Sequence, residues 1–159
     1  MHRYECPFGT LTFEPAARDP LPDSAHFIEH VYDHEARTAT DCVIAGHDTK
    51  VFVSEDLGGT WQTYDIGPLT GGRPVTRCFT LRNGNRIIQT TAKFCMFLVD
   101  RNFALLKKCT TGQYSWHGTW SIDQSSSGVI MYGEYHHTPE AIGVWRSADG
   151  GLNWDAVLT

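Results

Sequence analysis

Two stretches of the chain, SEDLGGTW at residues 54–61 and SADGGLNW at residues 147–154, share the pattern Ser-x-Asp-x-Gly-x-Thr/Asn-Trp. A short Asp side chain accepts hydrogen bonds from backbone N–H groups slightly further along the chain, which closes a tight turn. Gly58 and Gly151 permit the left-handed backbone conformation that such a turn requires. The pattern therefore predicts a turn between two β-strands, centred on Asp56 in one stretch and on Asp149 in the other.

The serine and the tryptophan of each stretch complete the predicted turn. Ser54 and Ser147 are suited to hydrogen-bond to the main chain of the same turn. Trp61 and Trp154 begin the following strand, where the indole packs beneath the turn and its N–H needs an acceptor. These residues are therefore expected to have a structural role.

A third, degenerate copy of the pattern lies between the other two. Asp56 and Asp149 are 93 residues apart, about twice the 40–50 residues of one propeller blade. The midway stretch LVDRNFAL, at residues 98–105, has Asp100 at the Asp position, Asn102 in place of the Gly and Leu105 in place of the Trp. Because Asn tolerates a positive φ better than most residues, Asn102 is predicted to adopt the left-handed conformation there.

Short apolar runs bounded by Gly, Asp, Asn, Ser or Pro surround each copy, a pattern typical of strands and turns. Four strands a unit is the composition of a propeller blade. We therefore predict an all-β protein, a β-propeller of about three four-stranded blades at about 25–68, 69–113 and 114–159, forming half of a six-bladed propeller. Residues 1–24 are predicted to be an N-terminal segment with one strand at 10–14. The twelve blade strands are predicted at 27–32, 42–46, 50–53, 61–66, 76–81, 86–91, 94–99, 105–109, 118–122, 129–135, 142–146 and 154–158.

The first of these strands has an alternative interpretation as a helix. His26, His30 and His34 are spaced four residues apart, so a helix would place them on one face, as in a metal site. The apolar residues Phe27, Val31 and Tyr32 form no coherent helical stripe, and the blade period favours a strand. We therefore expect no metal site here.

The composition excludes several classes of protein. The net charge is −5 and no run of Lys or Arg occurs, which argues against a nucleic-acid binder. No stretch approaches 18 apolar residues, so no membrane-spanning helix is expected. The start lacks the pattern of a signal peptide, which makes the cytoplasm the default localisation. The five cysteines have no CxxC spacing, which argues against a zinc site and a disulfide framework. Cys42, Cys78 and Cys95 lie in apolar runs and are expected to be buried free thiols, and no cofactor is expected.

The turn pattern resembles the Asp box, or BNR repeat, of bacterial and viral sialidases and related propellers. The stretch from Gly133 to Gly151 is also similar to bacterial sialidase-like proteins, and the resemblance covers roughly residues 25–159. In that family the Asp boxes lie on the outer rim, away from the active site. The resemblance therefore implies a structural role for the Asp-box residues, which are Ser54, Asp56, Gly58, Trp61, Asp100, Ser147, Asp149, Gly151 and Trp154.

The same resemblance implies a type of active site. Sialidases hold the substrate carboxylate with three arginines, use a Tyr–Glu pair as the nucleophile and use an Asp as acid/base. The family's Arg-Ile-Pro motif is absent from this chain. The catalytic candidates are Arg77 and Asp123, which lie on or beside predicted innermost strands, and Glu134, which ends an apolar strand where a raised pKa is expected.

Two functions follow as expectations. The first is a sialidase-like glycoside hydrolase, or a fragment of one, that acts on or binds glycans. The alternative is a non-catalytic propeller module that binds a carbohydrate or a protein. Because three blades leave open edges, self-association through those edges is also expected.

Overall fold

The computed structural model describes residues 2–6, 9–13, 25–33, 36, 38–90, 96–109, 119–134 and 143–158. These residues form an all-β fold with three four-stranded antiparallel sheets and one two-stranded sheet, which confirms the predicted fold class at that level.

The first sheet contains four strands that follow one another along the chain. They are β3 (Phe27–Asp33), β4 (Thr38–His47), β5 (Lys50–Ser54) and β6 (Gln62–Asp65). A single helical turn, α1 (Gly67–Thr70), follows and ends at Gly71, which has a φ of 68°. Before this sheet, β1 (His2–Cys6) pairs with β2 (Gly9–Phe13), so the N-terminal segment has two strands where the sequence predicted one.

The middle and last sheets repeat this order. The middle sheet is built from β7 (Val75–Thr80), β8 (Arg86–Thr90), β9 (Met96–Val99) and β10 (Leu105–Cys109). The last sheet is built from β11 (Thr119–Gln124), β12 (Ile130–Glu134), β13 (Gly143–Ser147) and β14 (Asp155–Leu158). In each sheet every strand pairs with the next one in sequence, and each sheet lies within one of the three predicted ranges.

The middle sheet is apolar on both faces because it packs against a sheet on each side. Ile88 and Phe97 belong to a buried cluster with Ile44 and Val51 of the first sheet. The neighbouring residues Ile87 and Leu98 belong to a second cluster with Ile130 and Tyr132 of the last sheet. Since successive side chains of a strand point to opposite faces, continuous apolar runs such as MFLV in β9 are buried throughout.

Hydrogen bonds connect neighbouring sheets at their turns. The Val75 N–H donates to the Asp48 carbonyl at 2.7 Å, which ties the middle sheet to the first. The Arg82 N–H donates to the Gln124 side-chain carbonyl at 2.7 Å, and the Gln124 amide donates to the Gly128 carbonyl at 3.0 Å. The buried Gln124 therefore links the turn after β7 to the last sheet.

The histidine-bearing segment is a strand and not a helix. In β3, Phe27, Glu29 and Val31 are partly buried, whereas Ile28 and His30 are exposed. His30 hydrogen-bonds through Nε2 to the Thr40 carbonyl of β4. His34 lies outside the described residues.

Among the described residues, the three four-stranded sheets do not close into a ring. The last sheet leaves apolar side chains exposed to solvent: Met131 is 43% and Val157 is 55% exposed, whereas Phe52 of the first sheet is 1% exposed.

Within the described residues, Cys42, Cys78 and Cys109 are free thiols, and Cys95 lies outside them. Within the same ranges, no helix is long and apolar enough to cross a membrane.

Candidate functional site

The first strands of the three sheets border one groove. Its volume is about 440 Å³, and we call it the β3–β7–β11 groove. Its lining residues are Phe27, Ile28, Glu29, His30 and Tyr32 from β3, Arg77 and Phe79 from β7, and Asp123 from β11.

Two of the three catalytic candidates meet in this groove. Arg77 and Asp123 are on different sheets and both line it. The third, Glu134, is the last residue of β12, paired with Thr119 and Gly143, and its side chain lies outside the described part of the structure.

Glu29 is a groove residue that sequence reasoning missed. Burial raises the pKa of the Glu29 carboxyl to about 7. A hydrogen bond from the Thr80 backbone and the positive charge of Arg77 both lower this pKa, but burial has the larger effect. The alternation in β3 places Glu29 on the same face as Phe27 and Val31. A carboxyl on the apolar face of a strand is the signal that would have found it.

The groove combines groups that suit a polar ligand with apolar faces. A carboxyl with a pKa of about 7 is both a proton donor and a proton acceptor near neutral pH. Arg77 supplies a permanent positive charge, and Asp123 is an exposed acidic side chain. Phe27, Phe79 and Tyr32 supply aromatic surface beside these groups. Ligand sites are typically built this way, from apolar and aromatic walls with a few placed polar groups.

The first and last Asp turns, residues 54–61 and 147–154, have the same hydrogen bonds. Asp56 accepts the Thr60 N–H at 2.8 Å, and Asp149 accepts the Asn153 N–H at 2.9 Å. The buried serine hydroxyls accept the N–H groups of Gly58 at 2.7 Å and Gly151 at 2.9 Å. In each turn, the backbone N–H groups that donate to the Asp and Ser side chains therefore belong to residues of the same turn.

These hydrogen bonds hold both aspartates in the ionised form. The Thr60 backbone N–H is the main cause of a pKa of about 2 for Asp56, and the Asn153 backbone N–H has the same effect on Asp149. Gly58 and Gly151 have φ of 85° and 92°, the left-handed conformation that the sequence predicted. None of the nine proposed Asp-box residues lines the β3–β7–β11 groove.

The middle Asp turn, residues 98–105, follows a different backbone path. Asp100 accepts the N–H groups of Asn102 at 2.8 Å and Ala104 at 2.9 Å. The hydrogen bond from the N–H four residues after the aspartate is therefore present in this turn as well. The positive φ, 64°, belongs to Phe103 and not to Asn102, so the predicted conformation of Asn102 is wrong. Phe103 is buried and its ring lies 4.5 Å from that of Tyr64, so packing on the first sheet holds the strained residue in place.

The two tryptophans differ in their hydrogen bonds. The Trp154 indole donates to the Gly151 carbonyl at 3.0 Å, as the turn pattern predicts. The buried indole N–H of Trp61 has no acceptor among the described residues.

The described side chains contain no group of three or more His, Cys, Asp or Glu residues arranged to bind a metal ion. Comparison of the chain with models of protein families and with curated proteins found no match.

Proposed function

We propose that this chain is part of a sialidase-like Asp-box β-propeller and that its β3–β7–β11 groove binds a glycan. The observation that carries the proposal is the meeting of Glu29, Arg77 and Asp123, from three consecutive sheets, in one groove. In a propeller the first strands of the blades surround the axis. Ligand groups at the axis would therefore come from several blades, one from each inner strand.

The three turns support the propeller part of the proposal. Each turn joins the third strand of a four-stranded sheet to the fourth strand. In each turn an aspartate accepts a hydrogen bond from the backbone N–H four residues later. A propeller needs at least four blades. The proposal therefore requires further sheets, supplied by other parts of the same protein or by a second copy that pairs with the exposed face of the last sheet.

The side chains in the groove suggest roles toward a sugar. Arg77 would donate hydrogen bonds to a carboxylate or to hydroxyl groups, and the aromatic rings would pack on the apolar face of the sugar ring. Glu29, with a pKa of about 7, would donate a proton to a leaving group as a general acid. Asp123 would be a second carboxylate beside the sugar, as in glycosidases that use two carboxylates, whereas sialidases use a tyrosine nucleophile.

The groove also bears on the choice between hydrolysis and binding alone. Sialidases use three arginines for the substrate carboxylate, and Arg77 is the one arginine among the described lining residues. We therefore propose glycan binding as the function, with hydrolysis as a further activity that the experiment decides.

The experiment measures binding and turnover with the same protein. Sialyllactose and lactose are titrated by calorimetry, and a fluorogenic sialoside reports hydrolysis. We expect sialyllactose binding in the wild type and at least tenfold weaker binding in Arg77→Gln. The matched control is Arg146→Gln, an exposed arginine of β13 outside the groove, which should bind as the wild type does.

Three results are distinguishable. Turnover that is lost in Glu29→Gln supports a hydrolase. Binding without turnover supports the non-catalytic module. Absence of both binding and turnover, or equal binding by the wild type and Arg77→Gln, contradicts the proposal.

A further inference from the structure

The lining residues of the β3–β7–β11 groove include two carboxylates and one arginine, and the two carboxylates differ in burial. Asp123 of β11 is exposed to solvent, whereas Glu29 of β3 is partly buried. The charge of Arg77, on the facing strand β7, acts on the Glu29 carboxyl. An anion bound in the groove would therefore share one guanidinium with Glu29.

The titratable neighbours of Glu29 on β3 and β7 leave Arg77 as the nearby charge. His30, the next residue of β3, lies on the opposite, exposed face and hydrogen-bonds to the Thr40 carbonyl. Cys78 of β7 is buried, and burial together with the charge of Glu29 raises the pKa of its thiol. The thiol of Cys78 is therefore neutral at physiological pH.

The strands behind these two add one further thiol and one further arginine. Burial raises the pKa of the Cys42 thiol on β4, so this thiol is also neutral near pH 7. The charge of Arg86 on β8 acts on Cys42 and Cys78, whereas the arginine whose charge acts on Glu29 is Arg77. The charge balance at this end of the groove thus depends on whether Glu29 is ionised.

The two protonation states of Glu29 have opposite effects on an anion in the groove. Since its pKa is about 7, both states are populated near neutral pH. The ionised carboxylate offsets the charge of Arg77 and repels a second negative charge. The protonated carboxyl is neutral, and its O–H is a hydrogen-bond donor to an anionic oxygen. A proton on Glu29 and an anion beside Arg77 therefore favour each other.

We infer that an anionic glycan binds in the β3–β7–β11 groove together with one proton, which is taken up by Glu29, so that acidic pH strengthens the binding of charged sugars and leaves that of neutral sugars unchanged. This coupling rests on the proposed glycan-binding function. It is also reciprocal: protonation of Glu29 strengthens ligand binding by the same factor by which the ligand strengthens proton binding.

The sign of the pH dependence follows from the two states. Glu29 is mostly protonated at pH 6 and mostly ionised at pH 8.5. The affinity for sialyllactose, which carries one carboxylate, should therefore fall as the pH rises through about 7. We expect a decrease of at least about tenfold from pH 6 to pH 8.5, because two like charges would then share the groove. Lactose has no charge, and its affinity should change less than about twofold.

Calorimetry measures both the affinity and the proton. Sialyllactose and lactose are titrated at pH 6, 7.5 and 8.5 and constant ionic strength. At pH 7.5 each titration is repeated in two phosphate-free buffers whose ionisation enthalpies differ, because the difference in observed heat reports the number of protons taken up. We expect net proton uptake with sialyllactose and none with lactose.

Variants assign the proton to one residue. Glu29→Gln should bind sialyllactose with an affinity that no longer depends on pH and without proton uptake, since an amide does not titrate. Glu55→Gln is the matched control, because it makes the same chemical change at an exposed carboxylate that does not line the groove. It should keep the wild-type pH profile.

Two further variants examine the other titratable groups of the groove. Histidines in general change charge near neutral pH, so His30 is tested by His30→Gln. Asp123 is tested by Asp123→Asn. Whatever their effect on overall affinity, both variants should keep the ratio of affinities between pH 6 and pH 8.5 and the proton uptake.

The outcomes separate this coupling from the glycan-binding function. Sialyllactose binding by the wild type that is equal at pH 6 and pH 8.5 overturns the coupling and leaves glycan binding standing. A pH profile that persists in Glu29→Gln, or that disappears in His30→Gln, also overturns the coupling. If Glu29→Gln fails to fold, proton uptake by the wild type, His30→Gln and Asp123→Asn decides. Absence of binding of either sugar at every pH contradicts both the coupling and the proposed function.

Discussion

Glu29 of β3 and Arg77 of β7 lie on different sheets, line the same groove, and interact electrostatically: the charge of Arg77 lowers the pKa of the Glu29 carboxyl while burial raises it. Burial has the larger effect, and the pKa of Glu29 is about 7. The protonation state of the groove therefore changes within the physiological pH range.

The stability of the protein should depend on Glu29 between about pH 4.5 and 7. The folded pKa is above the value of 4.5 for an unperturbed Glu, so the folded state binds more protons than the unfolded state in this range, and stability falls as the pH rises. The loss should be up to about 3 kcal/mol and less in practice, because the side chain is partly exposed. Chemical denaturation at pH 5 and pH 8 measures it.

Glu29→Gln should remove this part of the pH dependence, since an amide does not titrate. Glu55→Gln, at an exposed carboxylate, should keep the wild-type profile. A profile for Glu29→Gln that matches the wild type would contradict the burial of this carboxyl.

Ser147→Ala should destabilise the last sheet. The Ser147 side chain is 1% exposed, and its hydroxyl accepts the buried N–H of Gly151 at 2.9 Å. Alanine leaves that N–H without an acceptor, which costs about 1–3 kcal/mol. The control is Ser126→Ala, at an exposed turn position, where a change within about 0.5 kcal/mol is expected. Equal stabilities of the two variants by urea denaturation would rule out this role for Ser147.

Leu57→Gly should be more stable than Leu57→Ala. Leu57 has a φ of 55° and is 41% exposed, so both substitutions remove the same partly buried side chain, but only glycine relieves the strain of the left-handed conformation. Relief of about 1–2 kcal/mol of strain exceeds the roughly 0.4–1 kcal/mol that glycine costs through the entropy of the unfolded chain. A difference of about 0.5–1 kcal/mol in unfolding free energy, in favour of Leu57→Gly, is expected in urea denaturation.

The reverse substitution at the matching position of the last Asp turn is the control for Leu57. Gly150 has a φ of 74°, and a Cβ there would approach no atom closer than 3.7 Å. Gly150→Ala should therefore cost about 1 kcal/mol through the backbone alone. A Leu57→Gly variant that is no more stable than Leu57→Ala would show that residue 57 carries no backbone strain that glycine relieves.

Asp149→Asn should lower Tm by an amount that depends on pH. The folded pKa of about 2 is below the unperturbed 3.8, so the folded state binds fewer protons than the unfolded state between these values. The stabilisation by the charged carboxylate is therefore complete above about pH 4 and is lost as the pH falls through about 2. The Tm difference between the wild type and Asp149→Asn should narrow over this range in calorimetric scans. A difference that stays constant from pH 5 to pH 2 would mean that the charge of Asp149 adds nothing to its hydrogen bonds.

Local sequence patterns predicted the all-β class and most strands. The strands predicted at 50–53 and 105–109 are observed as Lys50–Ser54 and Leu105–Cys109, because turn residues bound each apolar run on both sides. The middle Asp turn was predicted less well. Its positive φ is at Phe103 because burial of that ring against Tyr64 outweighs the local preference of Asn102.

The candidate site was predicted in part. Arg77 and Asp123 were identified by their positions on predicted first strands, and both line the groove. Glu29 was missed because a Glu in an alternating strand is commonly exposed, and its burial depends on the facing middle sheet.

The sequence by itself determined the Asp turns and the strands beside them, because the hydrogen bonds of a turn such as Asp149 to Asn153 join residues only a few positions apart. Only the tertiary structure decided that Glu29, Arg77 and Asp123 share one groove. These side chains come from strands far apart in sequence, and their meeting depends on how the sheets pack face to face. That packing is set by the fit of many buried side chains at once, which no short stretch of sequence specifies.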